Sequence, residues 1–330
     1  MRTSSGLSSS AGVRPLAAAG TVAVGALAAL QARINGDLGV RLDDGFLAAL
    51  LSYATGLILV AVLVLRNRAS RDSVRRLVAG MHAGTVPIWW ILASLAGAFA
   101  VLTQGLTVGL LGVALFGVGV VAGRTITALV IDAAGVGGGT RRRATPGRLA
   151  GAVLTVGAVV IGAAGGLAFD VPWWVVVLPV LAGGSIAFQQ AANGGLVRIS
   201  GSGMAAAALN FAAGTALLLM LWLGRVAYGA APGILVPDLW LYAGGAVGVA
   251  FLVLSATLVR HVGVLILGIG VVIGQLVASV ILDLVWPVAS VSAPLFGVAA
   301  VAVAALAAVA AVEPWRHRRS RSDPARGVVR

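Results

Sequence analysis

Apolar residues fill the chain in runs of about twenty, separated by short stretches that hold nearly all of its charge. The runs fall at 16–34, 46–65, 88–108, 111–131, 148–168, 174–193, 204–223, 239–259, 262–282 and 294–312. A helix of about 20 residues rises about 30 Å, the thickness of the hydrocarbon layer, so the pattern predicts ten transmembrane helices. Composition agrees: 60% hydrophobic residues and a mean hydropathy of +1.04 exceed what a soluble core could hide. Trp89, Trp90, Trp173, Trp174, Trp222, Trp240, Trp286 and Trp315 all fall at run ends, where an interfacial belt places them.

Charge refines this picture. All 23 basic residues are Arg, and the net charge is +13. No polar domain exists to carry a nucleic-acid surface, so the excess reads as a topology signal and not as a nucleic-acid partner. Ten crossings put both termini on one side. That side collects 19 of the 23 Arg, leaving Arg33, Arg41 and Arg225 opposite and Arg124 within a run, so both termini are expected in the cytoplasm. The Ser-rich residues 1–15 and the basic residues 313–330 are expected as cytoplasmic tails, the first of them disordered. A signal-peptide reading of the first run is set aside because the run has a counterpart deep inside the chain.

The chain has no cysteine, His82, His261 and His317 lie at or beyond run ends, and no Asp or Glu lies near mid-run. Intramembrane hydrolysis or metal chemistry needs several such groups converging in the bilayer, so no enzyme, metal or cofactor is expected.

Two stretches share a frame. "QARINGDLG" at 31–39 and "QQAANGGLV" at 189–197 both place Gln, three residues, Asn-Gly, one residue and Leu. An offset of 158 aligns 31–56 with 189–214 at ten identities in 26. An offset of 151 aligns 112–123 with 263–274 at seven of twelve and pairs Asp132 with Asp283. The chain therefore reads as two five-helix units, 16–168 and 169–312. Because five is odd, the second must enter from the opposite face, which makes an inverted repeat.

The ten-helix, five-plus-five inverted plan resembles the drug/metabolite transporter (DMT) superfamily. "ALQARINGDLG", "AALLSYATG" and "GIGVVIGQLVASVILD" (268–283) are similar to its YdcZ-type branch of inner-membrane exporters. The resemblance covers roughly residues 16–312. It implies a bacterial inner-membrane permease that works by alternating access around a central cavity and moves a small metabolite or drug. The second half keeps Gly274-Gln275 with Ser279, as that family pattern does, whereas the first half has Gly123-Arg124 with Ala128.

Gln31 and Asn35, like Gln189 and Asn193, lie one helical turn apart on one face, and their amides need partners away from lipid. One reading is structural: Gln bonds a neighbouring helix, and Asn-Gly ends the helix in a left-handed residue. The other is substrate contact. Inversion would set the two pairs near opposite membrane faces, which suits two gates better than one binding site. Gln104, opposite Ser255 in the repeat, reads as packing glue.

Arg124 lies within the fourth run, where insertion costs about 2.5–3.5 kcal/mol. It could snorkel or pair with Asp132. Alternatively it sets a positive charge in the cavity, for an anionic or zwitterionic substrate. Asp132 and Asp283 end equivalent runs; interfacial anchoring is the default and proton coupling the alternative. The pairs Gly119/Gly123 and Gly270/Gly274 allow close helix approach, and "GVGGGTRRR" lacks the Gly-Lys-Ser/Thr of a phosphate loop. Together these features favour a secondary transporter. A non-transporting scaffold or receptor subunit is the rival, and it requires a dry, packed interior. A passive channel would need a pore open at both ends.

Overall fold

A computed structural model describes residues 10–135, 145–166, 171–231, 233–287 and 301, and all of its regular elements are helical. In order these are α1 (Ser10–Leu42), α2 (Gly45–Arg66), α3 (Arg68–His82), α4 (Ile88–Ala93), α5 (Ala96–Ala134), α6 (Pro146–Gly166), α7 (Trp173–Ser200) and α8 (Gly203–Ala227). A 3₁₀ turn (Leu239–Ala243) then leads into α9 (Gly244–Val285). Among the described residues six segments are long and apolar enough to cross a membrane: Gly45–Arg66, Ile88–Ala134, Trp173–Ser200, Gly203–Ala227, Leu239–Val259 and Ile266–Val285. The expected tenth run lies outside the described residues apart from residue 301, as does the tail at 313–330.

Ile88–Ala134 would measure about 70 Å if straight, over twice the hydrocarbon thickness. It folds back on itself. The Ser185 hydroxyl on α7 donates to the Ala96 carbonyl at 3.1 Å, while two residues away Gly183 packs on the Val120 carbonyl. Residues 96 and 120 can flank one turn of α7 only if α5 reverses between them, and it does so at Gly112 (φ 74°, ψ 168°). α9 reverses likewise at Gly263 (φ 78°, ψ 166°), so that Leu258 meets Gly20 and Gly270 meets Thr21 on α1. These residues are 151 apart, and only glycine occupies such backbone angles readily.

Each reversing helix is clasped by a partner. A Cβ on Gly123 would overlap the Val180 carbonyl, and one on Gly183 the Val120 carbonyl, so α5 and α7 touch backbone to backbone. On the other side a Cβ on Gly274 would overlap the Val22 carbonyl, and one on Gly25 the Val271 carbonyl. The two crossings match residue for residue at offsets of 158 and 151. Between them α2 crosses α8. Tyr53 packs on Gly214, Phe211 packs on Gly56, and the two rings lie 5.1 Å apart, tilted by 44°; each residue is the other's counterpart at an offset of 158.

Both Asn-Gly pairs lie inside helices and do not end them. α1 continues to Leu42 and turns at Asp43 (φ 50°); α7 continues to Ser200 and turns at Gly201 (φ 77°). Leu38 and Leu42 on α1, and Leu196 and Ser200 on α7, are buried, so packing carries each helix past its Asn-Gly. Asp44 then caps α2 by accepting from the N–H groups of Phe46 at 2.9 Å and Leu47 at 3.1 Å. Ser202 caps α8 through Met204 N–H at 3.1 Å.

Arg225, in the last turn of α8, donates to Asp44, so the end of α8 and the start of α2 share one end of the bundle. The start of α8, at Gly203, lies at the other. Trp90 is buried against Gly195, with the Arg198 guanidinium over its ring at 5.7 Å.

Candidate functional site

A cavity of about 560 Å³ occupies the space between α1, α2, α5, α7, α8 and α9. Its walls are apolar, with Val101, Phe116, Ile186 and Phe251 among them, and the Tyr53–Phe211 pair also faces it. Into this greasy chamber the fold brings Gln31, Gln104, Arg124, Gln189, Asn193 and Gln275. Asn35, the remaining residue singled out from the sequence, is fully buried behind the wall and donates to the Gln104 side-chain carbonyl at 2.7 Å.

Gln31, Gln189 and Asn193 therefore line one chamber, with Asn35 behind its wall. The long overrun of α1 and α7 past Asn-Gly places both glutamines well inside the bundle. Each one rests on a glycine. A Cβ on Gly248 would sit 2.7 Å from the Gln31 amide nitrogen, and one on Gly97 would sit 2.8 Å from that of Gln189. These glycines are again 151 apart. Gln189 donates to the Ser94 carbonyl at 3.2 Å, and Asn210 donates to Asn193 at 3.2 Å. Gln31 and Gln275 make no side-chain hydrogen bond among the described residues, so their amides are available to the cavity.

Arg124 belongs to the second arm of α5, with its backbone held against Gly183. The residue lines the cavity, and its guanidinium has neither an ion pair nor a hydrogen bond among the described residues. The pairing with Asp132 considered from the sequence is not formed. Among the described residues no Asp or Glu lines the chamber, and Arg124 is the one formal charge there. A cation without a counter-ion in apolar surroundings attracts an anion strongly, because little water screens it.

Asp283 has a structural role. Its carboxylate accepts from Val113 N–H at 2.9 Å and Ala114 N–H at 2.7 Å, capping the arm of α5 that begins after Gly112. Asp132 also has a partner. Sequence reasoning missed Ser52, Tyr53, Gln190, Asn210 and Phe211, all of which line the cavity. The offset that pairs Ser52 with Asn210 and Tyr53 with Phe211 was legible, but identity counting passes over unlike pairs.

The Asp44 end is closed. There Asp44, only 5% exposed, accepts from Arg225 at 2.7 Å and from the Trp222 indole at 3.2 Å. Arg41 pairs with Asp238 at 2.7 Å, and Arg33 lies over the Trp286 ring at 4.7 Å, with Trp240 stacked beyond it. Toward the other end the cavity walls include Val197, Gly203, Ala256 and Val259, of which the first three are exposed.

Comparison with known proteins adds one finding. A family model described as "Putative inner membrane exporter, YdcZ" matches residues 16–161 and again residues 174–312. No curated protein and no solved structure matches the chain.

Proposed function

The chain belongs to the YdcZ family of inner-membrane exporters, and on that premise we propose that it is a secondary transporter exporting a small anionic or zwitterionic metabolite or drug by alternating access. The observation that carries this reading is the cavity of about 560 Å³, open toward one end, in which an unpaired Arg124 stands among free amides. A packed scaffold has no use for an uncompensated cation in its interior. The closed Asp44 end speaks against a passive channel.

The proposed architecture is ten helices in two inverted five-helix repeats, 16–168 and 169–312, with the tails outside them. It is supported by the paired reversals at Gly112 and Gly263, by the matched crossings Gly25/Gly274 and Gly183/Gly123, and by the double family match. With the termini in the cytoplasm, the Arg-rich α3 and the Gly203 end face inward, so the cavity opens to the cytoplasm, as an exporter awaiting cargo requires. Binding would proceed by attraction of the anionic group to Arg124, while Gln31, Gln275 and Asn193 take up the neutral polar groups of the solute.

The test is flux from proteoliposomes with a panel of small anions, zwitterions, neutral solutes and cations, for the unaltered protein and for Arg124→Gln. The expected result is export of anionic solutes and loss of that preference in Arg124→Gln. Absence of flux for every class would overturn the reading.

A further inference from the structure

Three contacts at the Asp44 end have mirror positions at the Gly203 end, and the two sets differ in state. At the closed end Gly36 packs on Val108, while Gly39 and Gly45 pack on the Gly105 carbonyl; all five residues are buried. Offsets of 158 and 151 carry them to Gly194, Val197 and Gly203 facing Ala256 and Val259. Among the described residues nothing lies within 4 Å of a Cβ placed on Gly194 or Gly203, and Val197, Gly203, Ala256 and Val259 line the cavity. The same pieces of chain are thus zipped at one end and parted at the other. Meanwhile the crossings Gly25/Gly274 and Gly183/Gly123 are made on both sides.

The closed end also carries an ion pair that the residues at its mirror positions do not form. Asp44 ties α2 to Arg225 and Trp222 of α8. The mirror positions are Ser202, Asn67 and Val64. There Ser202 caps its own helix, and Asn67 accepts from Ser70 N–H at 3.3 Å. Arg76 of α3 does reach the Ser200 carbonyl at 2.8 Å, a bond to the backbone and not an ion pair.

We propose that Gly36, Gly39 and Gly45 against Gly105 and Val108 form one gate, that Gly194, Val197 and Gly203 against Ala256 and Val259 form the other, and that the two close in alternation, with the Asp44–Arg225 latch setting the resting state. This rests on the transport reading. The glycine seam supplies the mechanism: small residues let two helices meet flush without side chains to rearrange, so each gate can zip or part with little repacking. The latch supplies the bias, because an ion pair that forms with one gate closed favours the conformation that contains it.

The chain has no cysteine, which permits a direct test in the full-length protein. A Cβ on Gly109 would lie 3.7 Å from the Val40 Cβ, a distance at which a disulfide closes without strain. Val40→Cys/Gly109→Cys should therefore oxidise readily, and Val197→Cys/Ala256→Cys slowly. Adding Arg225→Gln should raise the second rate at least threefold and lower the first. Asp44→Asn, which keeps an acceptor for the α2 cap, should act in the same direction.

Unchanged rates at both pairs in folded latch variants would overturn the proposal, as would equally fast oxidation of both pairs in the unlatched and latched backgrounds. Anion flux by the unaltered protein together with unchanged rates would leave transport standing and remove the gate assignment. Shifted rates without flux of any solute would do the reverse.

Discussion

Asp283 and Val113 are 170 residues apart, yet the carboxylate of one accepts the N–H of the other at 2.9 Å. A second bond, to Ala114 N–H at 2.7 Å, completes a cap on the second arm of α5. The arrangement follows from the reversal at Gly112. A helix restarting after a reversal exposes N–H groups that the chain before it cannot serve, and a carboxylate from the end of α9 satisfies two of them.

Replacing Asp283 by Ala removes both acceptors and should lower stability by about 2 kcal/mol, within the range for a lost cap with charged hydrogen bonds. Asp283→Asn keeps one acceptor and should lose roughly half as much. Thermal unfolding followed by tryptophan fluorescence in detergent reads both. If the Asp carried protons for coupled transport and served no cap, stability would not change and the pH dependence of flux would.

Glycine contacts permit a sharper comparison within one molecule. Gly183→Ala and Gly274→Ala each push a methyl into a facing backbone carbonyl, so each should destabilise by about 1–3 kcal/mol. Gly157→Ala on α6 and Gly224→Ala on α8 meet nothing within 4 Å among the described residues, and should be neutral or stabilising by up to about 1 kcal/mol. Equal effects at all four sites would mean that the crossings are not close-packed.

The two reversal glycines separate backbone strain from steric overlap. Gly263→Ala meets no described atom within 4 Å, so its cost is the left-handed backbone alone, about 1–3 kcal/mol. Gly112→Ala pays the same and also brings its Cβ to 2.9 Å from the Asp283 carboxylate. The difference between the two sites should therefore vanish in an Asp283→Ala background. A double-mutant cycle on stability measures that coupling, and additive effects would refute the contact.

The residues at these positions show what the sequence could disclose. The offset of 151 already set Gly112 beside Gly263 and Gly123 beside Gly274, so the reversals and crossings were legible as matched glycines. Asn35-Gly36 misled, because local turn chemistry was overruled by the burial of Leu38 and Leu42 one and two turns on. The Asp44 latch was invisible: its partner Arg225 lies 181 residues away, and the mirror copy has Ser202 and Asn67, so no repetition marked it. The meeting of Gln31 with Gln189 depends on how far α1 and α7 run into the bundle. That distance is a property of packing, and the pattern of the runs does not contain it.

Arg124 and Gln275 are paired by the offset of 151 and line the same cavity, although only one is charged. If selectivity depends on a positive charge in the chamber and not on the particular helix that carries it, the charge should be transferable. Arg124→Gln should reduce the ratio of anion to neutral-solute flux by about tenfold or more, the worth of a charged hydrogen bond of roughly 1.5–3 kcal/mol. Arg124→Gln/Gln275→Arg should recover much of that ratio, since the guanidinium then enters the same space from α9, where Gln275 has no side-chain hydrogen bond to lose. Arg124→Lys should retain anion preference with weaker binding, because a point charge replaces a planar fork. Flux ratios in proteoliposomes check all three. Loss of preference in the transferred variant, with folding intact, would show that the position of the charge matters and would tie recognition to the α5–α7 side of the cavity.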